Sequence, residues 1–175
     1  SAIVEDNQNT YDVIGGRIHA LWIINDKWEA DVSLIGQQSE ARGAWESDPA
    51  LGDYKIAKFF DEWRDDDWWQ TSATFRGDLC FAEFTSTTSY FERESAYEWD
   101  YMAYFQWGSS YVAYTGGWSP YYDFDYEYGT VFNDQIQTRF AQEFRLTSQS
   151  ESKLQWMVGA FYDNTYDEWE YGFQM

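Results

Sequence analysis

Aromatic side chains interleaved with Gly and Asp fill the segment 107–128, which has the residues of this sequence best suited to bind a small molecule. Rings on a Gly-rich loop can stack on a flat chelate or a sugar at a low cost in conformational entropy. We therefore expect this segment to contact a ligand; the alternative is that its rings only pack over neighbouring strands. The candidate ligand-binding residues are Tyr111, Tyr114, Trp118, Tyr121, Tyr122 and Tyr126.

Three acids in the same segment form a weak candidate for a metal site. Asp123, Asp125 and Glu127 occur at every second position, so an extended strand would present their oxygens on one side. Such oxygens suit a hard cation such as calcium, but the other positions of a calcium-binding loop are missing. The simpler interpretation is a solvated acidic surface, and we predict no metal and no cofactor.

The sequence contains no catalytic constellation. His19 is the single histidine, and no GxSxG motif surrounds a serine. The 31 acidic residues make paired carboxylates common by chance, so such pairs do not indicate glycoside hydrolysis. Cys80 is the single cysteine and cannot form an intramolecular disulfide, and we expect it to be a small residue on a strand. We predict that the chain is not an enzyme.

Charge and aromatic content restrict the class of protein. A net charge of -20 repels polyphosphates, so nucleic acid is not an expected partner. Phe, Trp and Tyr make up 22% of the chain, more than the core of a soluble domain of this size requires. Trp and Tyr concentrate at membrane interfaces and ligand clefts. The sequence has no apolar run long enough for a transmembrane helix, but transmembrane β-strands alternate and need no such run.

Alternation with period 2 predicts three antiparallel hairpins, at about 13–38, 66–97 and 135–168. The first turns at Asn25-Asp26-Lys27. The second turns at Gly77-Asp78, and its returning strand begins at Leu79 and includes Cys80. In the third, the returning strand starts at Lys153.

Short turns and long loops fall at opposite ends of these strands. The hairpin turns are short, whereas the connections at about 41–64 and 98–134 are long, as in outer-membrane barrels with short periplasmic turns and long extracellular loops. The predicted strands also exceed the ~5 to 6 residues usual in globular sheets. We therefore predict an all-β fold, an antiparallel meander of about six long strands that is part of a transmembrane outer-membrane β-barrel. Because six strands do not close such a barrel, we expect residues 1–175 to be a fragment.

The alternation assigns two faces to this sheet. The apolar face is expected to contact outer-membrane lipid, and the acids Asp65, Asp66 and Asp67 to lie near lipopolysaccharide at the outer rim. His19 is expected on the polar face, which lines the lumen. The other residues expected to face the lumen are Arg17, Glu29, Asp31, Arg76, Glu83, Arg139, Glu143 and Arg145.

Several segments of the predicted strands have recognisable sequences. The run 142–148 (QEFRLTS) followed by 154–162 (LQWMVGAFY) resembles a hairpin that recurs in the barrels of TonB-dependent receptors. The stretch 84–91 (FTSTTSYF) is similar as well, and the order of segments from Gly15-Gly16-Arg17 onward matches the family over nearly the whole chain.

The resemblance implies a barrel of about 22 strands filled by an N-terminal plug and energised through the TonB complex. It implies a receptor in the bacterial outer membrane that takes up an iron-siderophore or another scarce nutrient. Partners would be the rest of the barrel, the plug, the TonB complex through that plug, the nutrient, and outer-membrane lipid and lipopolysaccharide. The alternatives are a soluble aromatic-rich β-sandwich that binds carbohydrate and a passive porin-type barrel.

Overall fold

The computed structural model describes residues 6–114, 129–150 and 153–174. Six β-strands and one α-helix are present in this part of the chain. Each strand is 15 to 19 residues long, so each is far longer than a typical globular strand. In chain order the elements are β1 (Thr10–Asn25), β2 (Trp28–Arg42), β3 (Trp63–Asp78), β4 (Ala82–Asp100), α1 (Met102–Tyr114), β5 (Thr130–Ser148) and β6 (Met157–Gln174).

The strands form one antiparallel sheet in the order β1-β2-β3-β4-β5-β6. Every strand therefore pairs with its sequence neighbour, and the predicted all-β meander of about six long strands is confirmed. The described residues do not close the sheet into a barrel, and β1 and β6 form its two edges. In this described part, no helix has the length and apolar character needed to cross a membrane.

The register brings the alternating positions of all six strands onto two common faces. Ala30 of β2 pairs with Trp22 of β1 and with Phe75 of β3, and Phe144 of β5 pairs with Ser86 of β4. We call this side face A; it carries the even positions of every strand except β3, where it carries the odd ones. The opposite side is face B.

The sheet is a single layer with little interior. The accessible surface is 13267 Å², whereas a compact protein of 20.8 kDa exposes roughly 8,900 Å². The buried hydrophobic residues in the described part are Ala82, Met102, Phe105, Val131 and Ala141. A β-sandwich would bury one face against a second sheet. The described residues provide no second sheet, so most of both faces is left uncovered.

The turn between β3 and β4 differs from the predicted one. Gly77 and Asp78 are still in β3, and the chain reverses at 79–81. Asp78 Oδ1 accepts a hydrogen bond of 2.6 Å from the Cys80 amide, and Cys80 has φ 73°. The prediction that β4 starts at Leu79 with Cys80 inside the strand is therefore wrong, because the Asp78 side chain closes a local turn.

Gly77 has a packing role instead of a turn role. A Cβ at this position would lie 1.9 Å from a ring carbon of Trp28, whose indole covers the glycine. The Trp28 ring stacks on Phe75 with centroids 4.9 Å apart. Gly77 is thus required because the Trp28 indole occupies the space that a side chain would fill.

Two further predictions need correction. β6 begins at Met157 and not at Lys153. Ser148 and Trp156 hold the connection before it in place: the Ser148 amide donates to the Trp156 carbonyl, and the Ser148 Oγ accepts from the Trp156 amide, both at 2.9 Å. The segment 98–134 is not a continuous loop, since β4 extends to Asp100, α1 spans Met102–Tyr114 and β5 starts at Thr130. The loop predicted at 41–64 is observed between β2 and β3, at 43–62.

Candidate functional site

Face A carries a band of uncharged residues between two rows of rings. The row near the short turns is made by Trp28, Phe75, Phe84 and Phe144, and we call it the turn-side row. It is continuous, since ring centroids are 6.5 Å apart for Trp28–Phe84 and 6.4 Å for Phe84–Phe144. The loop-side row contains Trp69, Tyr90, Phe140 and Tyr162, with Trp69–Tyr90 at 5.3 Å and Phe140–Tyr162 at 6.3 Å.

The two rows are six residues apart on β3, from Trp69 to Phe75, and on β4, from Phe84 to Tyr90, and four residues apart on β5. At about 3.3 Å per residue the spacing is roughly 20 Å along β3 and β4 and roughly 13 Å along β5. Aliphatic and small side chains occupy the band between the rows. They include Ile18, Ala20, Val32, Leu34 and Ala73, of which Ile18, Val32 and Leu34 are exposed.

Polar side chains inside this band hydrogen-bond to the protein itself. Thr88 Oγ1 donates to Gln142 Oε1 at 2.5 Å, and Gln142 Nε2 donates to Ser86 Oγ at 3.1 Å. Thr71 Oγ1 donates to the Ser33 carbonyl at 3.1 Å. These groups therefore do not depend on water for their hydrogen bonds, which is the requirement for polar groups placed in hydrocarbon.

Beyond the loop-side row, face A becomes acidic. Among the described strands, the basic residue in this part of face A is Arg42. It pairs with Asp65 at 2.6 Å and with Glu40 at 3.1 Å. The like charges Asp134 and Glu170 are directly opposite one another. We call the following residues the acidic band: Asp12, Glu40, Asp65, Asp67, Glu92, Glu94, Asp134, Glu168 and Glu170.

The residues predicted to face a lumen all lie on face B. Ion pairs form there between Arg76 Nη1 and Glu29 at 3.0 Å and between Arg145 and Glu143 at 2.5 Å, and His19 Nε2 lies at hydrogen-bond distance, 2.5 Å, from Asp31 Oδ2. Arg139 pairs with Asp163 of β6, a partner that sequence reasoning missed. Arg17 and Glu83 share the face and form no ion pair with another described residue. The predicted grouping on one face is thus observed, whereas contact with a plug stays a prediction.

Polar hydroxyls extend this network across face B. Ser33 and Ser72 are linked at 2.8 Å, and Thr74 and Thr87 at 3.2 Å. Of the three rim acids, Asp65 and Asp67 lie on face A, whereas Asp66 lies on face B and accepts two hydrogen bonds from Arg93, at 2.8 and 2.5 Å. In its central strands face B is therefore a hydrogen-bonded polar surface that suits contact with water or with a polar protein surface, whereas its edge strands also expose apolar side chains such as Leu21, Ile23 and Phe161.

At the loop end, Asp100 joins the 43–62 loop to α1. Its Oδ1 accepts from the Met102 amide at 2.8 Å and so caps the helix, and its Oδ2 accepts from the Phe59 and Phe60 amides at 2.5 and 3.2 Å. The Tyr101 ring packs on Phe173 of β6, with centroids 6.0 Å apart. This arrangement was not predicted, although an Asp two residues before a helix is a known capping signal.

A buried ion pair fixes the same loop. Lys58 Nζ lies 2.8 Å from Glu62 Oε1, which also accepts from the Asp100 amide at 3.1 Å. Glu62 Oε2 is buried without a hydrogen-bond partner. Burial opposes the charge on Lys58 most strongly, but the hydrogen bond from Lys58 to Glu62 and the charges of Glu62, Glu46 and Asp100 outweigh it, so the pKa of Lys58 is raised.

The predicted ligand-binding segment is only partly described. Tyr111 and Tyr114 belong to α1 and not to a loop, and Tyr114 is 90% exposed. The other candidates, Trp118, Tyr121, Tyr122 and Tyr126, and the acids Asp123, Asp125 and Glu127, lie outside the described residues. Within the described ranges, no three His, Cys, Asp or Glu side chains are grouped to hold a metal ion.

Comparison with models of known protein families and with curated protein sequences gives no match for this chain.

Proposed function

We propose that this chain is part of the wall of a bacterial outer-membrane β-barrel, with face A against lipid and face B toward the interior. The observation that carries the proposal is the uncharged band on face A, bounded by aromatic rows roughly 20 Å apart along β3 and β4. Outer-membrane barrels have an outward apolar band of about 25 Å between aromatic girdles. Strands of 15 to 19 residues are long enough to cross such a band and continue beyond it.

Three other features support the same orientation. The polar side chains in the uncharged band form their hydrogen bonds within the protein. The acidic band begins just beyond the loop-side row. The sheet is a single layer, so another surface must cover each of its two faces. Lipid would cover face A. Further strands would pair with β1 and β6, because an open edge exposes unpaired backbone groups that are costly in a membrane.

Within this class we propose a TonB-dependent receptor that takes up an iron-siderophore or a similar scarce nutrient. This step depends on the resemblance of the hairpin at 142–162 and of the stretch 84–91 to that family. The hydrogen-bonded polar surface in the central strands of face B is a suitable wall for a plug, and the paired residues Arg76–Glu29 and Arg145–Glu143 would lie against it. The plug, the TonB complex and lipopolysaccharide are the partners that this role requires.

Two experiments test the proposal in order. In the first, the protein that contains these strands is refolded with phosphatidylcholine vesicles and floated on a density gradient; the proposal expects flotation that alkaline carbonate washing does not reverse. Recovery of a monodisperse folded monomer in the aqueous fraction would contradict the membrane assignment.

The second experiment measures uptake of a radiolabelled ferric siderophore by cells that carry the protein containing these strands in their outer membrane. Uptake that stops when the proton-motive force is dissipated supports a TonB-dependent receptor. Uptake that continues at the same rate and does not saturate would instead support a passive porin.

A further inference from the structure

Face A has a hollow at the point where its apolar band meets the acidic band. Gly16 of β1 pairs with Gly36 of β2, and Gly36 pairs with Trp69 of β3, so two neighbouring strands expose bare backbone beside an indole ring. The hollow has a volume of about 530 Å³, and Ile18 and Leu34 form its apolar wall. A Cβ added to Gly16 would meet no atom within 4 Å, which shows how open this space is.

A second hollow adjoins the first on the loop side of Trp69. Its volume is about 380 Å³, and Gln38, Asp67, Glu92 and Glu94 line it together with Trp69. Asp67 accepts a hydrogen bond of 3.2 Å from Gln38, and Glu92 accepts one of 2.9 Å from the Tyr90 hydroxyl. No Lys or Arg lines either hollow in the described part of the chain.

The charges at this second hollow are left unbalanced. Asp67 and Glu94 are directly opposite one another in the β3/β4 pair, and like charges at such positions repel. A cation placed between these carboxylates and the face of Trp69 would relieve that repulsion and gain a cation–π contact. The apolar hollow next to it has the complementary chemistry for an alkyl chain.

We propose that the two hollows together bind one membrane amphiphile, with its alkyl chain along Gly16 and Gly36 and a positively charged amine head group between Asp67, Glu94 and Trp69. The proposal rests on the proposed function only in that face A contacts lipid. The glycine pair gives the chain room and the unpaired carboxylates select the charge of the head group, so an anionic amphiphile of equal length is rejected.

The test uses the full chain in phosphatidylcholine vesicles and a nitroxide-labelled octadecylamine, which quenches nearby tryptophan fluorescence. The signal of Trp69 is taken as the difference between the wild type and Trp69→Phe. We expect saturable quenching of this signal at about one amine per chain. Octadecyl sulfate with the same label should bind at least about tenfold more weakly, a difference of about 1.4 kcal/mol.

Two variants separate the parts of the site. Gly16→Leu places its Cβ where no atom lies within 4 Å, fills the apolar hollow and should weaken amine binding by about tenfold, whereas Ala20→Leu puts a leucine on face A of the same strand outside the hollow and should have no effect. Glu94→Gln should remove most of the preference for the amine over the sulfate. These variants keep the proposal testable even if one of them folds poorly.

Three outcomes would overturn the proposal: equal quenching by amine and sulfate, quenching that does not saturate, or binding that Gly16→Leu leaves unchanged. Occupation of the hollow by a second copy, seen as concentration-dependent cross-linking that the amine does not displace, would also overturn it.

If flotation shows that the chain does not enter vesicles, the membrane assignment fails separately. The same variants are then titrated with octylamine in buffer, where saturable binding lost in Gly16→Leu would still support the site and its absence would refute it.

Discussion

Asp67 lies directly opposite Glu94 across strands β3 and β4, on the same face of the sheet and without an arginine or lysine beside them in the described residues. Directly opposed like charges destabilise a strand pair by roughly 0.2–1 kcal/mol. We therefore expect Glu94→Gln to raise the free energy of unfolding by about that amount at low salt. The gain should shrink in high salt, because ions screen exposed charges.

The matched control for this prediction is Glu29→Gln on face B. Glu29 pairs with Arg76 at 3.0 Å, so its neutralisation should lower stability slightly or leave it unchanged. Urea unfolding of both variants at low and high salt provides the comparison. A stability loss in Glu94→Gln would show that the opposed carboxylates do not repel in the folded protein.

A second prediction concerns Gly77 and the turn-side aromatic row. Gly77→Ala places a methyl group where the Trp28 ring lies, so the ring must move away from Phe75. Overpacking of this kind costs about 1–3 kcal/mol. We expect lower stability and a changed near-UV circular dichroism signal from the Trp28–Phe75 stack.

Gly16→Ala is the control for Gly77→Ala, because its new methyl group meets nothing within 4 Å. It should keep the aromatic signal and the stability of the wild type or gain slightly, since glycine weakens a strand. Equal effects of the two substitutions would contradict a specific packing role for Gly77.

The third prediction is that Asp100 holds α1 and the 43–62 loop together. Asp100→Ala removes the cap on Met102 and the acceptor for the Phe59 and Phe60 amides, at a cost of about 1–2 kcal/mol. Hydrogen exchange should become faster at these amides, while the strands β2 and β3 keep their protection. Asp100→Asn keeps one capping oxygen and should show a smaller change; an identical effect of both substitutions would mean that the cap is unimportant.

The fourth prediction concerns the Lys58–Glu62 ion pair, in which Glu62 is buried and Lys58 nearly so. Lys58→Met leaves the Glu62 carboxylate without its partner, which costs about 1–3 kcal/mol of loop stability. Chymotrypsin should then cleave within 43–62 several-fold faster. Lys55→Met, at a more exposed lysine of the same loop, should cleave at the wild-type rate; a similar increase there would point to a general effect of charge.

The sign of the pH dependence follows from the raised pKa of Lys58. The charged Lys58 stabilises the loop fully at pH values below the pKa of the unfolded lysine, about 10.4. This stabilisation is lost as the pH rises through the higher pKa of Lys58 in the folded protein. Brief digestion with an alkaline protease at about pH 8 and about pH 11 tests this. Protection of the loop should fall at the higher pH in the wild type, and the fall should be much smaller in Lys58→Met.

The sequence predicts the sheet well, because strict alternation over long segments indicates which side chains of each strand share a face. Once neighbouring strands pair, Arg17, Arg76 and Arg145 lie on one face without further information. The turns were less predictable. Gly77 resembles a turn residue and is instead covered by Trp28, a long-range contact that has no local signal.

The loop end was the least predictable region. Helix α1 contains no charged residue, so its sequence shows no clear amphipathic pattern, and its start is marked mainly by Asp100. The hollow at Gly16 and Gly36 also could not be predicted, because it depends on the register of β1 with β2 and of β2 with β3. Such sites become visible only when the pairing of strands is known.

The central claim is that face A contacts lipid and face B does not, and site-directed spin labelling tests it most directly. In a Cys80→Ser background, single cysteines replace Val32 and Ala73 on face A and their neighbours Ser33 and Ser72 on face B, each labelled with a nitroxide in vesicles. The prediction is alternation: labels at 32 and 73 collide mainly with oxygen dissolved in lipid, and labels at 33 and 72 do not. Equal accessibility at adjacent positions, or greater contact with a water-soluble nickel complex at 32 and 73, would contradict the account.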